Sequence, residues 1–360
     1  MRSYITLFLG VFSIMALSNA IVPVLPAFAT ESSWSGAIYS AYFLGACIST
    51  LPSGILSDRF GRLAMMRTGL IVTVASCAFL CMTTAAVPAL AARFIEGIGA
   101  GLFVAPALSL INADEHHERL SGYFMALMNA GLVLGLILAG ILAEVFHAPA
   151  AGIILFTALA VIPAVSGLFA RELHAPVPAT GRDLTAFLSL VREYRWIWYS
   201  SIVLIGITGV VTSLYPKFSG ASSDILGLWI AGMSIATIIA VLVISRFRFD
   251  EILAIRVSAV LMILGVMTSF FSPVGFLVLG FLAGVVMIAQ MGVLARVREH
   301  QGIAMGLFST MSYLGMALLP FLAGLVADLA SFFVAFCVTA VVAGTVAVMS
   351  SGSVSMTGSE

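Results

Sequence analysis

The chain has 360 residues, 61% hydrophobic and only 9% charged, with 16 basic and 16 acidic side chains and a formal net charge of zero. Soluble domains carry about 25% charged residues; here the mean hydropathy is +1.16. The composition therefore excludes a soluble enzyme or a nucleic-acid-binding module and describes a polytopic membrane protein. A span needs about 20 predominantly apolar residues, and spans consume nearly all of the sequence, leaving no room for a soluble catalytic domain.

Six predicted spans occupy the first half, at roughly 4–28, 34–56, 63–86, 88–111, 121–146 and 149–170. The first follows Arg2 and ends in a leader-like Ala27-Phe28-Ala29. Its apolar run exceeds the about 7–15 residues of a leader core, so an uncleaved span is expected. It carries Asn19, Pro23 and Pro26. Prolines are tolerated in spans where neighbouring groups satisfy the freed carbonyls.

Between the second and third spans lies GILSDRFGR, Gly54–Arg62. Gly54 is suited to close helix approach and Gly61 to a tight turn. Asp58 is suited to capping a helix start or pairing with an arginine, and Arg59 and Arg62 sit where cytoplasmic charge is expected. The stretch resembles the loop 2–3 signature G-x-x-x-D-R-x-G-R of the major facilitator superfamily of transporters, in which it acts as a gating loop.

The fourth span contains RFIEGIGAG, with Arg93 and Glu96 three residues apart and so on one helix face. Charges inside the hydrocarbon are expensive and are functional candidates by default. Burial favours a neutral carboxyl and a neighbouring guanidinium favours a charged one, so the pair fits either proton or substrate coupling or a permanent structural ion pair. An arginine followed by G-x-G resembles the superfamily's span 4 signature, matched by Arg93, Gly97, Gly99 and Gly101. That resemblance implies a link to proton transfer. The fifth span holds GLVLGLILAG, Gly131–Gly140. It resembles the antiporter signature G-x-x-x-G-P-x-x-G-G at Gly131, Gly135 and Gly140, with Leu136 replacing the proline and Ala139 a glycine. Small residues at this spacing are helix-interface residues. The two prolines of the first span look like the twelve-span drug:proton antiporter branch.

A connection over 171–195 follows, with Pro176, Pro178 and Gly181 and then RDLTAFLSLVREYR. Leu184, Phe187, Leu188 and Val191 share one helical face, which predicts an amphipathic helix on the cytoplasmic membrane surface. Six further spans are predicted at 196–218, 224–245, 252–271, 273–295, 303–327 and 330–350, then a tail over 351–360. Gln290 and Tyr313 join Asn19 and Asn129 as polar groups at span depth, each fitting either a cavity wall or one interhelical hydrogen bond.

The halves, 1–170 and 196–350, echo one another. Shifted by 184 residues, Gly122–Glu144 lies over Gly306–Asp328, with Gly122, Phe124, Gly131, Leu134, Leu138, Ala139, Gly140 and Ala143 meeting identical partners and Glu144 meeting Asp328. Gly97–Gly101 echoes Gly280–Gly284 more weakly, and Arg59-Phe60 echoes Arg246-Phe247, with Ser245 in place of an acid. A duplicated pair of six-helix bundles with a site at the repeat interface is the expected all-α architecture.

With the N-terminus in the cytoplasm, 14 of the 16 basic residues fall at cytoplasmic ends, Arg93 and Lys217 excepted. This predicts a cytoplasmic-membrane protein with both termini inside. Cys47, Cys77, Cys81 and Cys337 read as buried thiols. His116 and His117, among Asp114, Glu115, Glu118 and Arg119, read as a solvated loop with no metal pattern. The absence of G-x-x-x-x-G-K-[ST] and the single lysine argue against ATP as a direct energy source.

The resulting expectation is a monomeric, non-enzymatic secondary transporter, without cofactor or nucleic-acid partner, that exports a small amphipathic or hydrophobic compound in exchange for protons by alternating access. A uniporter or symporter for a polar metabolite, and a non-transporting membrane sensor, are the alternatives.

Overall fold

The computed structural model describes residues 2–112, 114, 116–170, 184–297 and 301–349. Among them every regular element is helical, as the hydrocarbon requires: a helix satisfies its own backbone hydrogen bonds. The helices are α1 (Arg2–Ala20), α2 (Ser32–Phe60), α3 (Arg62–Leu80), α4 (Ala86–Asn112), α5 (His117–Val145), α6 (Ala151–Leu168), α7 (Leu184–Glu193), α8 (Arg195–Ser200), α9 (Gly206–Ser219), α10 (Ser223–Ile244), α11 (Glu251–Phe271), α12 (Val274–Leu294), α13 (Gln301–Leu329) and α14 (Phe332–Met349). A 3-10 turn, Val22–Ala27, continues α1 where Pro23 and Pro26 cannot donate ladder hydrogen bonds. A π-helical turn, Ser201–Ile205, joins α8 to α9.

Eleven of these segments are long and apolar enough to cross a membrane, the eighth helix, π turn and ninth helix counting as one, Arg195–Ser219. The last apolar helix, α14, has 18 residues, about 27 Å at 1.5 Å per residue. Large apolar side chains lie exposed along the spans, among them Phe169, Leu264 and Val341, on surfaces that only lipid suits. The segment expected to be an amphipathic helix contains α7. Leu188 is exposed and Leu190 buried, with the Leu190 carbonyl accepting from Trp198 Nε1 at 3.0 Å. The 171–183 connection, Arg298 and the 351–360 tail lie outside the described residues.

Two compact units emerge, one of Met1–Thr30, Ala37–Arg182 and Ser219–Ala231, the other of Glu31–Gly36, Asp183–Phe218 and Gly232–Glu360. Thus the first turns of α10 group with the N-terminal helices and the first residues of α2 with the C-terminal ones. The core of the first unit joins Leu7, Val11 and Ile14 of α1, Met66 and Leu70 of α3, Phe103 of α4 and Phe124 of α5. The second has an aromatic cluster in which Phe218 stacks on Phe270 with centroids 4.5 Å apart and Tyr215 meets Phe276 edge-on at 4.7 Å.

The sequence repeat reappears as repeated packing. In the first unit a Cβ on Gly131 would run into the Phe12 carbonyl, and in the second a Cβ on Gly315 into that of Ile202. Gly97 presses on the Tyr42 carbonyl of α2, and Gly280 likewise on the Met233 carbonyl of α10.

Candidate functional site

Alternate glycines on α4 set the position of its charges. At 100° per residue, Gly97 and Gly101 share a face and Gly99 points nearly opposite. A Cβ on Gly97 would collide with the backbone of Tyr42 and Ala46, and one on Gly101 with Ser49, so this face lies against α2. A Cβ on Gly99 would stand 2.8 Å from the Gly69 carbonyl of α3. Ser53 Oγ of α2 donates to the Gly101 carbonyl at 2.7 Å. The helix is clamped between two neighbours at backbone distance, and Arg93 and Glu96 are sealed one turn away.

Arg93 is 0% and Glu96 1% exposed, and Arg93 Nη1 donates to Glu96 Oε2 at 2.7 Å. Arg93 Nη2 donates to the Ser18 carbonyl of α1 at 3.0 Å. That acceptor is available for a simple reason: α1 ends at Ala20, and the last four carbonyls of a helix lack intrahelical partners. They also form the negative end of its dipole, where a cation is favoured. The third partner is the face of Tyr42, whose ring centre lies 4.6 Å from Arg93 Cζ.

Neither Arg93 Nε nor Glu96 Oε1 has a hydrogen bond of ordinary geometry, and the Cys77 thiol of α3 stands beside the carboxylate. The guanidinium is thus held from three sides, only one of them anionic. The carboxylate has one charged partner, Arg93, and the Cys77 thiol beside it. Chemically, this permits Glu96 to take up a proton without leaving the cation bare.

At Gly54–Arg62, α2 runs to Phe60 and α3 begins at Arg62, so the turn is Gly61 alone, at φ 92°. A side chain there would be strained, which accounts for the glycine. Gly54 behaves differently from the sequence expectation: a Cβ on it would meet nothing within 4 Å, so it mediates no close helix approach. Arg62 is 7% exposed, and Arg59 is exposed with its Cζ 5.5 Å from the Phe60 ring centre. The Asp58 backbone is helical; its side chain lies outside the description. On α5, Gly131 and Gly135 abut the α1 backbone at Phe12 and Ala16, and Gly140 abuts Ser223 of α10.

The four polar candidates fall two in each unit. Asn19 Nδ2 donates to the Met15 carbonyl at 3.0 Å and Asn129 Nδ2 to the Met125 carbonyl at 2.8 Å, each within its own helix. Gln290 is fully buried and donates to Ser200 Oγ at 2.9 Å, tying α12 to α8 beside the π turn. Tyr313 is half-buried on α13. All four cysteines are free, and no group of metal-ligating side chains exists among the described residues.

The Ser18 carbonyl and the Tyr42 ring were beyond sequence reasoning. A carbonyl carries no residue signature, and Tyr42 lies 51 positions before Arg93. The second span carries two tyrosines, Tyr39 and Tyr42, and several serines, so nothing in the sequence singles Tyr42 out.

Comparison with known proteins agrees with this architecture. The sequence pattern of the Major Facilitator Superfamily matches residues 7–295. The uncharacterized MFS-type transporter YcaD of Escherichia coli is 27% identical over 263 residues, which is 70% of this chain and 67% of that protein. Among solved structures, the nucleoside transporter NupG superposes with a TM-score of 0.75 at 14% identity, covering 98% of this chain and 99% of NupG. A bacterial homolog of the human lysosomal transporter Spinster, inward-facing and occupied, gives 0.77 at 12% identity, covering 98% and 95%. The human organic anion transporter MFSD10 (TETRAN) gives 0.67 at 16%, covering 97% and 99%. At these identities the structural likeness is one of fold.

Proposed function

The chain belongs to the Major Facilitator Superfamily, and we propose that this MFS-type membrane transporter couples export of a small amphipathic or hydrophobic compound to proton entry, by alternating access of two six-span halves, 1–170 and 196–350. Arg93–Glu96 is the coupling element. Gly54, Asp58, Arg59, Gly61 and Arg62 form the gating loop, and the glycines of α4 and α5 are helix-interface residues. Twelve spans with both termini in the cytoplasm accommodate the arginine asymmetry.

The observation that carries the proton reading is the sealed ion pair on α4. Arg93 keeps a carbonyl and an aromatic face, so protonation of Glu96 removes one partner of three. A permanently charged structural pair would also use such partners, since a buried guanidinium has five N–H donors to satisfy; proton-driven flux decides between the two. The polar-substrate alternative draws on the nucleoside and organic anion transporters of the same fold; those substrates are properties of those proteins.

Proteoliposomes with an imposed pH gradient separate the readings. Accumulation of a fluorescent lipophilic cation that collapses with the gradient supports coupled export. Gradient-independent equilibration of a labelled nucleoside supports the alternative. No flux of either, with ligand binding retained, favours a sensor.

A further inference from the structure

The Arg93 guanidinium is held from α1 and α2, whereas the Glu96 carboxylate also faces α3. Among the described residues, two side chains meet that carboxylate, Arg93 and Cys77. A guanidinium does not release its proton in a protein. Cys77 is therefore the neighbour with a proton to exchange, and at 1% exposure it lies beyond the reach of bulk water.

Cys77 belongs to a stripe. Thr73, Cys77 and Cys81 are spaced i, i+4, i+8 and so stand one above another on a single face of α3. Thr73 is 0% exposed, and its hydroxyl has no hydrogen bond of ordinary geometry. A Cβ on Gly99 would stand 2.5 Å from that oxygen, so α4 closes the stripe at its inner end. In the other direction, Cys81 is the residue that caps α3, about 6 Å further along the axis at 1.5 Å per residue. It is half-buried and shares a hydrogen bond with Thr157 of α6, whose hydroxyl donates to the Ile153 carbonyl at 2.7 Å. The next residue, Met82, is 85% exposed. All of these residues belong to the first unit.

We propose that Cys77 hands protons to and from Glu96, and that Cys81 connects it to the end of α3, an inference that rests on Glu96 carrying the coupled proton. For each proton delivered, the Cys77 S–H bond breaks as an O–H bond forms on Glu96. The sulfur takes a replacement from Cys81, which takes one from hydronium at the surface. Both thiols are regenerated, and no thiolate persists where a charge would be desolvated. The reverse sequence returns the proton. On the orientation proposed above, the Cys81 end of α3 faces outward. The ionisable groups facing Glu96 are Arg93 on its own helix, Cys77 and Cys81 on α3, and Tyr42 of α2 across the guanidinium; α1 contributes a carbonyl to Arg93.

The test follows the proton itself, by infrared spectroscopy of the full chain in lipid nanodiscs after a rapid drop in pH. The carboxyl C=O band that is present in the native protein and missing from Glu96→Gln reports Glu96. Cys77→Val keeps the site filled, so that no water enters, and removes the exchangeable proton; Cys77→Ser restores one. Protonation of Glu96 should slow by at least about 100-fold in Cys77→Val and recover most of its rate in Cys77→Ser. Cys81→Val should slow it as well, and this half-buried position carries the test alone if Cys77→Val does not fold. An undiminished rate in either folded valine variant, or a serine variant as slow as its valine counterpart, would overturn the route while leaving Glu96 as the proton carrier. A native protein with no Glu96 band at any pH would overturn the coupling reading, and the route with it.

Discussion

Replacing Glu96 by Gln isolates the charge of the coupling element while keeping its size and an acceptor oxygen. Breaking a buried ion pair by removing one partner costs about 3–5 kcal/mol. Two features reduce that here. The Gln carbonyl still accepts from Arg93, a charge-assisted bond worth about 1.5–3 kcal/mol, and the Tyr42 face holds the desolvated cation with about 2 kcal/mol. The net loss should be about 2 kcal/mol, a lowering of melting temperature by a few degrees, with the protein still folded. Transport should change more selectively. Accumulation driven by a pH gradient should vanish while substrate exchange at equal pH persists, because a neutral side chain cannot carry the proton but leaves the alternating helices intact. Both quantities are measurable on one preparation, by thermal unfolding in nanodiscs and by flux in proteoliposomes. A stable Glu96→Gln protein with undiminished pH-driven accumulation would refute the coupling role. A large drop in melting temperature with unchanged proton dependence of the remaining flux would mark the pair as structural.

Other expectations follow from the same geometry. Tyr42→Leu should destabilise by about 1–2 kcal/mol through loss of the ring over Arg93, and Tyr42→Phe by less, as read from melting temperatures. Gly97→Ala forces a Cβ into the α2 backbone and should cost about 1–3 kcal/mol, whereas Gly54→Ala, which meets open space, should be neutral or stabilise by up to about 1 kcal/mol. Asp58→Asn should leave folding intact and abolish or strongly reduce transport; normal flux would remove Asp58 from gating. Lys217 should react with an impermeant amine reagent added to intact cells, and labelling confined to inside-out vesicles would reverse the topology.

Much of the fold could be read from residue order because the bilayer enforces simple rules. Apolar runs became helices near the expected positions, the Pro23 and Pro26 pair became a 3-10 extension, and the one-residue turn fell at Gly61. The glycine repeat was legible as a repeat. What each glycine touches was not: Gly54 belongs to a recognisable signature yet faces open space, while Gly36 and Gly227, in no signature, abut the Pro320 and Leu136 carbonyls. The ion pair could be expected because i, i+3 spacing is local. Its confinement could not, since it depends on the unpaired end of α1 and a ring on α2. Gln290 illustrates the converse. A buried amide in a span fits a cavity wall as well as a helix tie; that its Nε2 donates to Ser200 while its Oε1 has no hydrogen bond of ordinary geometry was not legible. The π turn beside it has no signal in the sequence.

The three-residue spacing of Arg93 and Glu96 also bears on how the protein enters the membrane. On insertion scales, each isolated charge at the centre of a span opposes entry by about 2.5–3.5 kcal/mol. Carried on one helix at i, i+3, the two can neutralise each other before any neighbour is available, so α4 arrives at the bilayer as a nearly uncharged rod. Synthesis runs from the N-terminus, so α1 and α2 precede it, and Ser18 and Tyr42 are already in the lipid when Arg93 emerges. The order of the chain lets the guanidinium find its carbonyl and its ring during biogenesis, without waiting for the second half of the protein.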